Sequence, residues 1–264
     1  MEKLNLFDDS DNELTHLDFG DSDSVHYQGE LGNFWYNPNE FEIIDDPWKG
    51  EHLHYCGKGE SVNLPEGCKN TRYMFSRCKL PDGFTLGDKF DTSNVKCMLD
   101  MFCECRLPAG FTLGDKFNTS NVESMSSMFY KCILPAGFTL GDKFDTSNVE
   151  SMSWMFHHCK LPDGFTLGDN FNTSNVINME GMFNGCKLPA GFTLGDKFDT
   201  SNVSSMWNMF CKCELPARFT LGDKFDTSNV ESMKGMFIQC RYNNISIQEY
   251  FKTDDIKSII ALLK

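Results

Sequence analysis

The chain has 264 residues, 40% of them apolar, which is enough for a core, yet it has no run of about eighteen apolar residues to cross a membrane. Its 38 acidic and 24 basic residues give a net charge of −14. The excess is local: residues 1–50 carry thirteen Asp and Glu against Lys3 and Lys49, while 51–240 carry twenty-two against eighteen. Without a basic stripe to neutralise phosphates, nucleic acid is excluded as an expected partner.

Residues 1–30 hold nine acidic residues and one Lys, a composition that predicts disorder. They lack the apolar run of a signal peptide and a lipid-attachment Cys, so a cytoplasmic protein is expected, with cell surface or non-classical secretion as the alternative. Twelve cysteines in such a chain are expected to stay reduced. Residues 31–78 read as an N-terminal β cap. NFWYNPNEFEII (33–44) predicts a hairpin around Asn37-Pro38, and Glu51 to Tyr55 a further strand. Residues 61–78 keep LPEG and MFSRC of the unit that follows but lack about eleven residues between them.

From 79 to 240 the chain repeats. Cys78, Cys105, Cys132, Cys159, Cys186, Cys213 and Cys240 fall 27 residues apart, and sixteen of the 27 positions are identical in all six units. The unit reads x-L-P-x-G-F-T-L-G-D-K-F-[DN]-T-S-N-V-x-x-M-x-x-M-F-x-x-C. Eighteen of the 24 Phe and twelve of the 14 Met lie in such columns, which marks those columns, with the Cys column, as core ladders. Within a unit, Phe84-Thr85-Leu86 alternates as a short strand does. Val95, Met98, Met101, Phe102 and Cys105 follow spacings of 3, 3, 1 and 3, which predict a short helical or 3₁₀ segment. The expected fold class is therefore a repeat solenoid, leucine-rich-repeat-like, α/β or mostly β, with parallel stacked strands. Residues 241–264 are expected to cap it, with Thr253 or Asp254 starting a helix that buries Ile256, Ile259, Ile260 and Leu263.

The string FDTSNVESMSWMFHHC at Phe144 to Cys159 closely resembles the BspA-like leucine-rich-repeat family and the related repeats of mycoplasma and other bacterial surface lipoproteins. The resemblance covers residues 64–240. It implies right-handed coils of the leucine-rich-repeat type and a role in adhesion, host-protein binding or antigenicity.

Candidate chemistry is sparse. The C-x-C pairs Cys103/Cys105 and Cys211/Cys213 lie four units apart, too far for one zinc site, though Cys103 and Cys211 are candidates for exposure and oxidation. The Asp88 column is neutralised by the neighbouring Lys89 column. No nucleophile, base and acid set recurs, so neither an enzyme, a metal nor a cofactor is expected. The positions that vary, 96–97, 99–100 and 103–104 and their equivalents, are expected on the solvent side. They carry Tyr130, Trp154, His157, His158 and Trp207, large anchors suited to a protein partner. Two readings stand: a binding face, or drift after recent duplication. The expected function is a non-enzymatic interaction scaffold, monomeric, with a surface adhesin as the alternative.

Overall fold

Gly and Asp turns shape the first part of the chain. The computed structural model describes residues 24–264. Strands β1 (Val25–Gly29) and β2 (Gly32–Tyr36) pair antiparallel with Gly29 opposite Gly32, and Gly32 takes a φ of 133° that only glycine tolerates readily. Strands β3 (Phe41–Asp46) and β4 (Gly50–Tyr55) form a second hairpin, whose turn is held by the Asp46 carboxylate accepting from the Trp48 and Lys49 amides at 2.8 and 3.1 Å. The single hairpin expected around Asn37-Pro38 is therefore two. Asn37 instead turns the link between them, accepting at its carbonyl from Glu40 and Phe41. β1 also lies inside the segment expected to be disordered; the rest of that expectation, residues 1–23, falls outside the described residues.

A leucine-rich-repeat-like solenoid of parallel stacked strands is not what the repeats form. Among the described residues they contain only two strands of two residues each, β6 (Thr85–Leu86) and β7 (Glu214–Leu215), and no α or 3₁₀ segment. The sheets are small. Two are the antiparallel hairpins, one pairs β5 (Ser61–Val62) with β6, and one joins β7 to β8 (Arg241–Tyr242) and antiparallel β9 (Ile245–Ser246). Elsewhere, parallel pairing between units is reduced to isolated bridges such as Cys97 with Ser124 and Arg106 with Ile133. The Phe-Thr-Leu alternation keeps its sides, Phe111 and Leu113 buried and Thr112 exposed, but makes no ladder there.

The helical spacing fails for a backbone reason. Asp100 and Glu104 are left-handed, at φ 54° and 55°, and so is the equivalent residue of each unit from Tyr73 and Arg77 to Gly235 and Gln239. A left-handed residue ends a helical turn. Each turn is therefore a single i to i−3 bond: Met101 to Met98 at 3.2 Å, Cys103 to Asp100 at 3.0 Å, Cys105 to Phe102 at 3.1 Å. The amides between go to the next unit instead. Met98, Asp100, Phe102 and Glu104 donate to the carbonyls of Ser124, Ser126, Met128 and Tyr130 at 2.7–2.9 Å. A short helix is marginal in water, and this arrangement satisfies the same amides between units.

Identical side chains then lie against each other. The ring of Phe102 stacks on Phe75 and Phe129 at 5.2 and 5.7 Å, and the column continues through Phe156, Phe183 and Phe210 to Phe237. Phe90 heads a second column at 6.4–6.5 Å spacing as far as Phe171. The Met98 and Met101 columns are buried, Met233 alone being half-exposed. The buried Thr92, Thr119, Thr146, Thr173 and Thr200 each donate their hydroxyl to a carbonyl 26 residues on, at 2.6–2.8 Å. At the C-terminal end, α1 (Ile247–Phe251) and α2 (Ile256–Leu263) bury Ile247, Ile259, Ile260 and Leu263, while Ile256 is only partly covered. The N-cap of α2 is Asp255, one residue later than expected; its carboxylate accepts from the Ser258 amide at 2.8 Å.

Candidate functional site

The five variable-position residues singled out from the sequence come together on one face. Trp154, left-handed at φ 60°, lays its indole over Gly181, the equivalent residue one unit on. A Cβ at Gly181 would run into that ring, so glycine is what gives Trp154 its seat. Beyond Gly181 the indole meets Trp207 edge to face at 5.9 Å, two units away. His158 uses Gly185 in the same way. His157 links the set: Tyr130 stacks on it at 4.7 Å, Trp154 meets it edge-on at 4.9 Å, and His158 at 4.5 Å. Lys131 continues the cluster, with its ammonium 5.0 Å from the Tyr130 ring and 3.5 Å from Glu104, which also pairs with Arg77 at 3.0 Å.

These side chains are not all on the open solvent side. Trp207 is 39% exposed and His158 is exposed, but Tyr130, Trp154 and His157 are half-buried by each other. The His157 Nδ1 is buried and makes no hydrogen bond. Burial, helped by His158, Lys131 and Lys212, holds its pKa down at about 4, and burial lowers His158 too, so both rings are neutral at pH 7. Gly181 and Gly185 were missed in the sequence, although the signal was there: each glycine stands 27 residues after the bulky residue it accommodates.

The Cys column offers little chemistry. Cys105, Cys132, Cys159, Cys186, Cys213 and Cys240 are buried and Cys78 is half-buried, all as free thiols. Burial pushes Cys78, Cys105, Cys186 and Cys240 up to about 12, and Cys132, Cys159 and Cys213 well up. The expected exposure of Cys103 and Cys211 is not found. Cys103 is half-buried and also pushed up to about 12, by burial and then by Asp100, while Cys211 is 7% exposed. Near the N-terminal hairpins, Lys49 sits 4.9 Å over the ring of Tyr73, and burial raises the carboxyl of Asp100, which hydrogen-bonds Tyr73. Where the truncated unit is short, a surface cavity of about 430 Å³ opens between Asn63, Cys68, Asp88, Lys89, Asp91 and Lys116, of mixed charge. Among the described residues no group of three or more His, Cys, Asp or Glu is placed to hold a metal ion, and no helix is long and apolar enough to cross a membrane.

Comparison with known families matches residues 69–187 and again 166–263 to the family described as "Mycoplasma protein of unknown function, DUF285". The chain belongs to this family. The two DUF285 matches begin in the truncated unit and run to the end of α2, so they span the repeats and the C-terminal cap and leave out both hairpins. No curated protein and no solved structure matches the chain.

Proposed function

We propose that this DUF285 protein is a non-enzymatic scaffold that binds a protein partner through the face of Tyr130, Trp154, His157, His158 and Trp207. One observation carries the reading: bulky side chains from two successive units, and Trp207 two units past Trp154, form one contiguous cluster seated on Gly181 and Gly185 of the unit between. Drift after duplication would scatter large residues among the variable positions without matching glycines. Half-buried Trp and Tyr have little side-chain freedom left to lose on binding, and such anchors concentrate affinity in interfaces. Cys78 Sγ does lie 3.9 Å from His54 Nε2, but burial pushes that thiol up to about 12, as it raises the rest of the column, and a thiol held protonated is a poor nucleophile, which supports a binding role over catalysis.

The test is affinity capture with the intact chain and with Trp154→Ala/Trp207→Ala, bound proteins being quantified side by side. The expected result is loss of a specific partner from the double variant with circular dichroism unchanged. A folded double variant that keeps every partner overturns the reading.

The resemblance of FDTSNVESMSWMFHHC to BspA-like repeats favours a second reading, a surface adhesin or antigen. Fractionation separates the two. An adhesin is found outside the cell, whereas an internal scaffold, the cytoplasmic reading, is not.

A further inference from the structure

The last unit breaks a pattern that holds throughout the others. In six successive units the amide at the Met98 position and those two, four and six residues on donate to carbonyls of the following unit; in the sixth, Met206, Asn208, Phe210 and Lys212 donate to Ser232, Lys234, Met236 and Ile238 at 2.7–3.0 Å. The amide at the Thr92 position does the same in five units, ending with Thr200 to Lys224 at 3.2 Å. Of their counterparts in the final unit, Met233, Gly235, Phe237 and Gln239 donate to no acceptor among the described residues, and the Thr227 amide turns to the neighbouring Asp226 carboxylate instead. On the side that α1 reaches, where Gln248 Nε2 donates to the Phe237 carbonyl at 3.2 Å, Met236 and Phe237 are buried, but the other flank is not. There Val230 and Met233 are half-exposed, although Val95, Val122, Val149, Val176 and Val203 and the preceding Met residues of that column are fully buried. Thr227 is half-exposed too, while its five counterparts are buried.

We infer that the Thr227 to Gly235 edge is a docking edge for a segment of another chain carrying the same F-[DN]-T-S-N-V-x-x-M pattern. The argument is one of complementarity and of continuity with the interfaces between units. An ordinary β-strand edge alternates donors and acceptors, so against a row of amides half of its groups would meet like with like. A segment with regularly spaced left-handed residues turns a row of amides one way and a row of carbonyls the other. Each unit in this chain receives its predecessor through such a carbonyl row and returns an amide just ahead of it, as Ile177 does to the Glu150 carbonyl at 2.8 Å, a pattern that a segment of the same sequence reproduces. The apolar part of the fit is the same: the segment's Val and Met would lie on Val230 and Met233, as Val176 and Met179 follow Val149 and Met152. The N-terminal end of this chain is not a free complement, because the Met74 carbonyl already accepts from the Tyr55 amide of β4 at 2.8 Å. The occupant is therefore a partner whose carbonyl row is open, and a second copy of this chain is excluded unless its hairpin moves.

A synthetic peptide of residues 168–181, GDNFNTSNVINMEG, supplies the probe. It carries the carbonyls of Asn170, Asn178 and Glu180 that Thr146, Met152 and Trp154 use within the chain, and it has no cysteine. Fluorescence anisotropy with the full chain is expected to show saturable binding that a scrambled peptide lacks and that Met233→Asp weakens at least about tenfold, a loss of about 1.4 kcal/mol. Amide exchange on the unmutated chain is expected to slow at Thr227, Met233 and Gly235 when the peptide is added. That map keeps the test decisive even if Met233→Asp unfolds. Absence of saturable binding, equal binding of the scrambled peptide, or slowing confined to other amides each overturns the inference.

Discussion

Trp154 occupies a left-handed backbone position, costly for a bulky L-residue, and its neighbours make room for it. Asp100, Ser127 and Asn208 show that non-glycine residues are tolerated in that column, so Gly181 is needed less for its φ of 57° than for the empty space above it. Gly181→Ala is expected to cost about 1–2 kcal/mol from the left-handed conformation and to push the Trp154 indole off its seat. Tryptophan emission should shift and Tm fall. Gly235→Ala, whose Cβ would meet the Asn208 amide and the Ile238 side chain but no indole, should leave the emission unchanged. His157 makes a second prediction, about pH. Its folded pKa near 4 lies below the ordinary value of 6.5, so between those values the unfolded chain binds the proton more readily. The stability it contributes is therefore fully present above about pH 6.5 and is lost as pH falls toward 4. Melting curves across that window should show a shallower decline for His157→Gln than for the unmutated chain; parallel declines would remove His157 as a cause.

At the scale of one unit, the same residue types serve two arrangements, which is why part of the fold could be read and part could not. The 27-residue period, the Phe and Met columns and the sides of Phe84, Thr85 and Leu86 follow from side-chain pattern alone, and burial shows them. The spacing of Val95, Met98, Met101, Phe102 and Cys105 suits a helix equally well as a series of single turns. What decides between them is the handedness of Asp100 and Glu104, and in those columns the residues that favour a left-handed backbone, Asp100, Gly181, Gly185, Asn208 and Gly235, are interspersed with Tyr, Arg, Ser, Trp and Lys, which dilutes the signal. The two hairpins differ from the expected one for a simpler reason: Gly29, Gly32 and Asp46 place the turns, while Asn37-Pro38, the stronger turn signal in the sequence, falls in the link between them. The clustering of Tyr130, Trp154, His157, His158 and Trp207 was legible as shared columns, but their mutual burial was not, because it depends on where the two glycines fall. The unit also fixes thiol behaviour. A thiol reagent at pH 8 is expected to label exposed Cys56 first in the native protein and half-buried Cys78, Cys97 and Cys103 more slowly. The buried column from Cys105 to Cys240 should react only on unfolding, when all twelve cysteines become available. Rapid native labelling of Cys132 or Cys159 would mean that the interior opens far more readily than the packing implies.

Across the whole molecule, the amide bonds between units reach only nearest neighbours, most running to the unit after and some, such as Glu123 to Lys96 and Ile133 to Cys105, to the unit before, so stability should be local rather than shared evenly along the chain. The two ends are closed by different means. Hairpin β3–β4 sets Tyr55 against Phe75 and Phe84 at 5.5 Å, whereas α2 sets Ile259, Ile260 and Leu263 on the last unit, with the Leu221 amide donating to the Leu263 carbonyl at 2.8 Å. The α2 end is the weaker, since it leaves the edge at Val230 and Met233 half-open and its first turn carries no acidic residue beyond the Asp255 cap. Ile259→Ala removes a fully buried side chain from that helix and is expected to cost about 2–5 kcal/mol. Because the contact is terminal, the loss should be confined: amide exchange should speed up over residues 214–263 while Val122 to Phe156 keep their protection. Phe156→Ala, with ring neighbours on both sides, is the contrasting case, and about 3–5 kcal/mol lost there should lower protection in the units before and after it. If Ile259→Ala instead lowered protection evenly from Phe75 to Phe237, the units would be melting as one body, and nearest-neighbour amide bonding would not be what sets the chain's cooperativity.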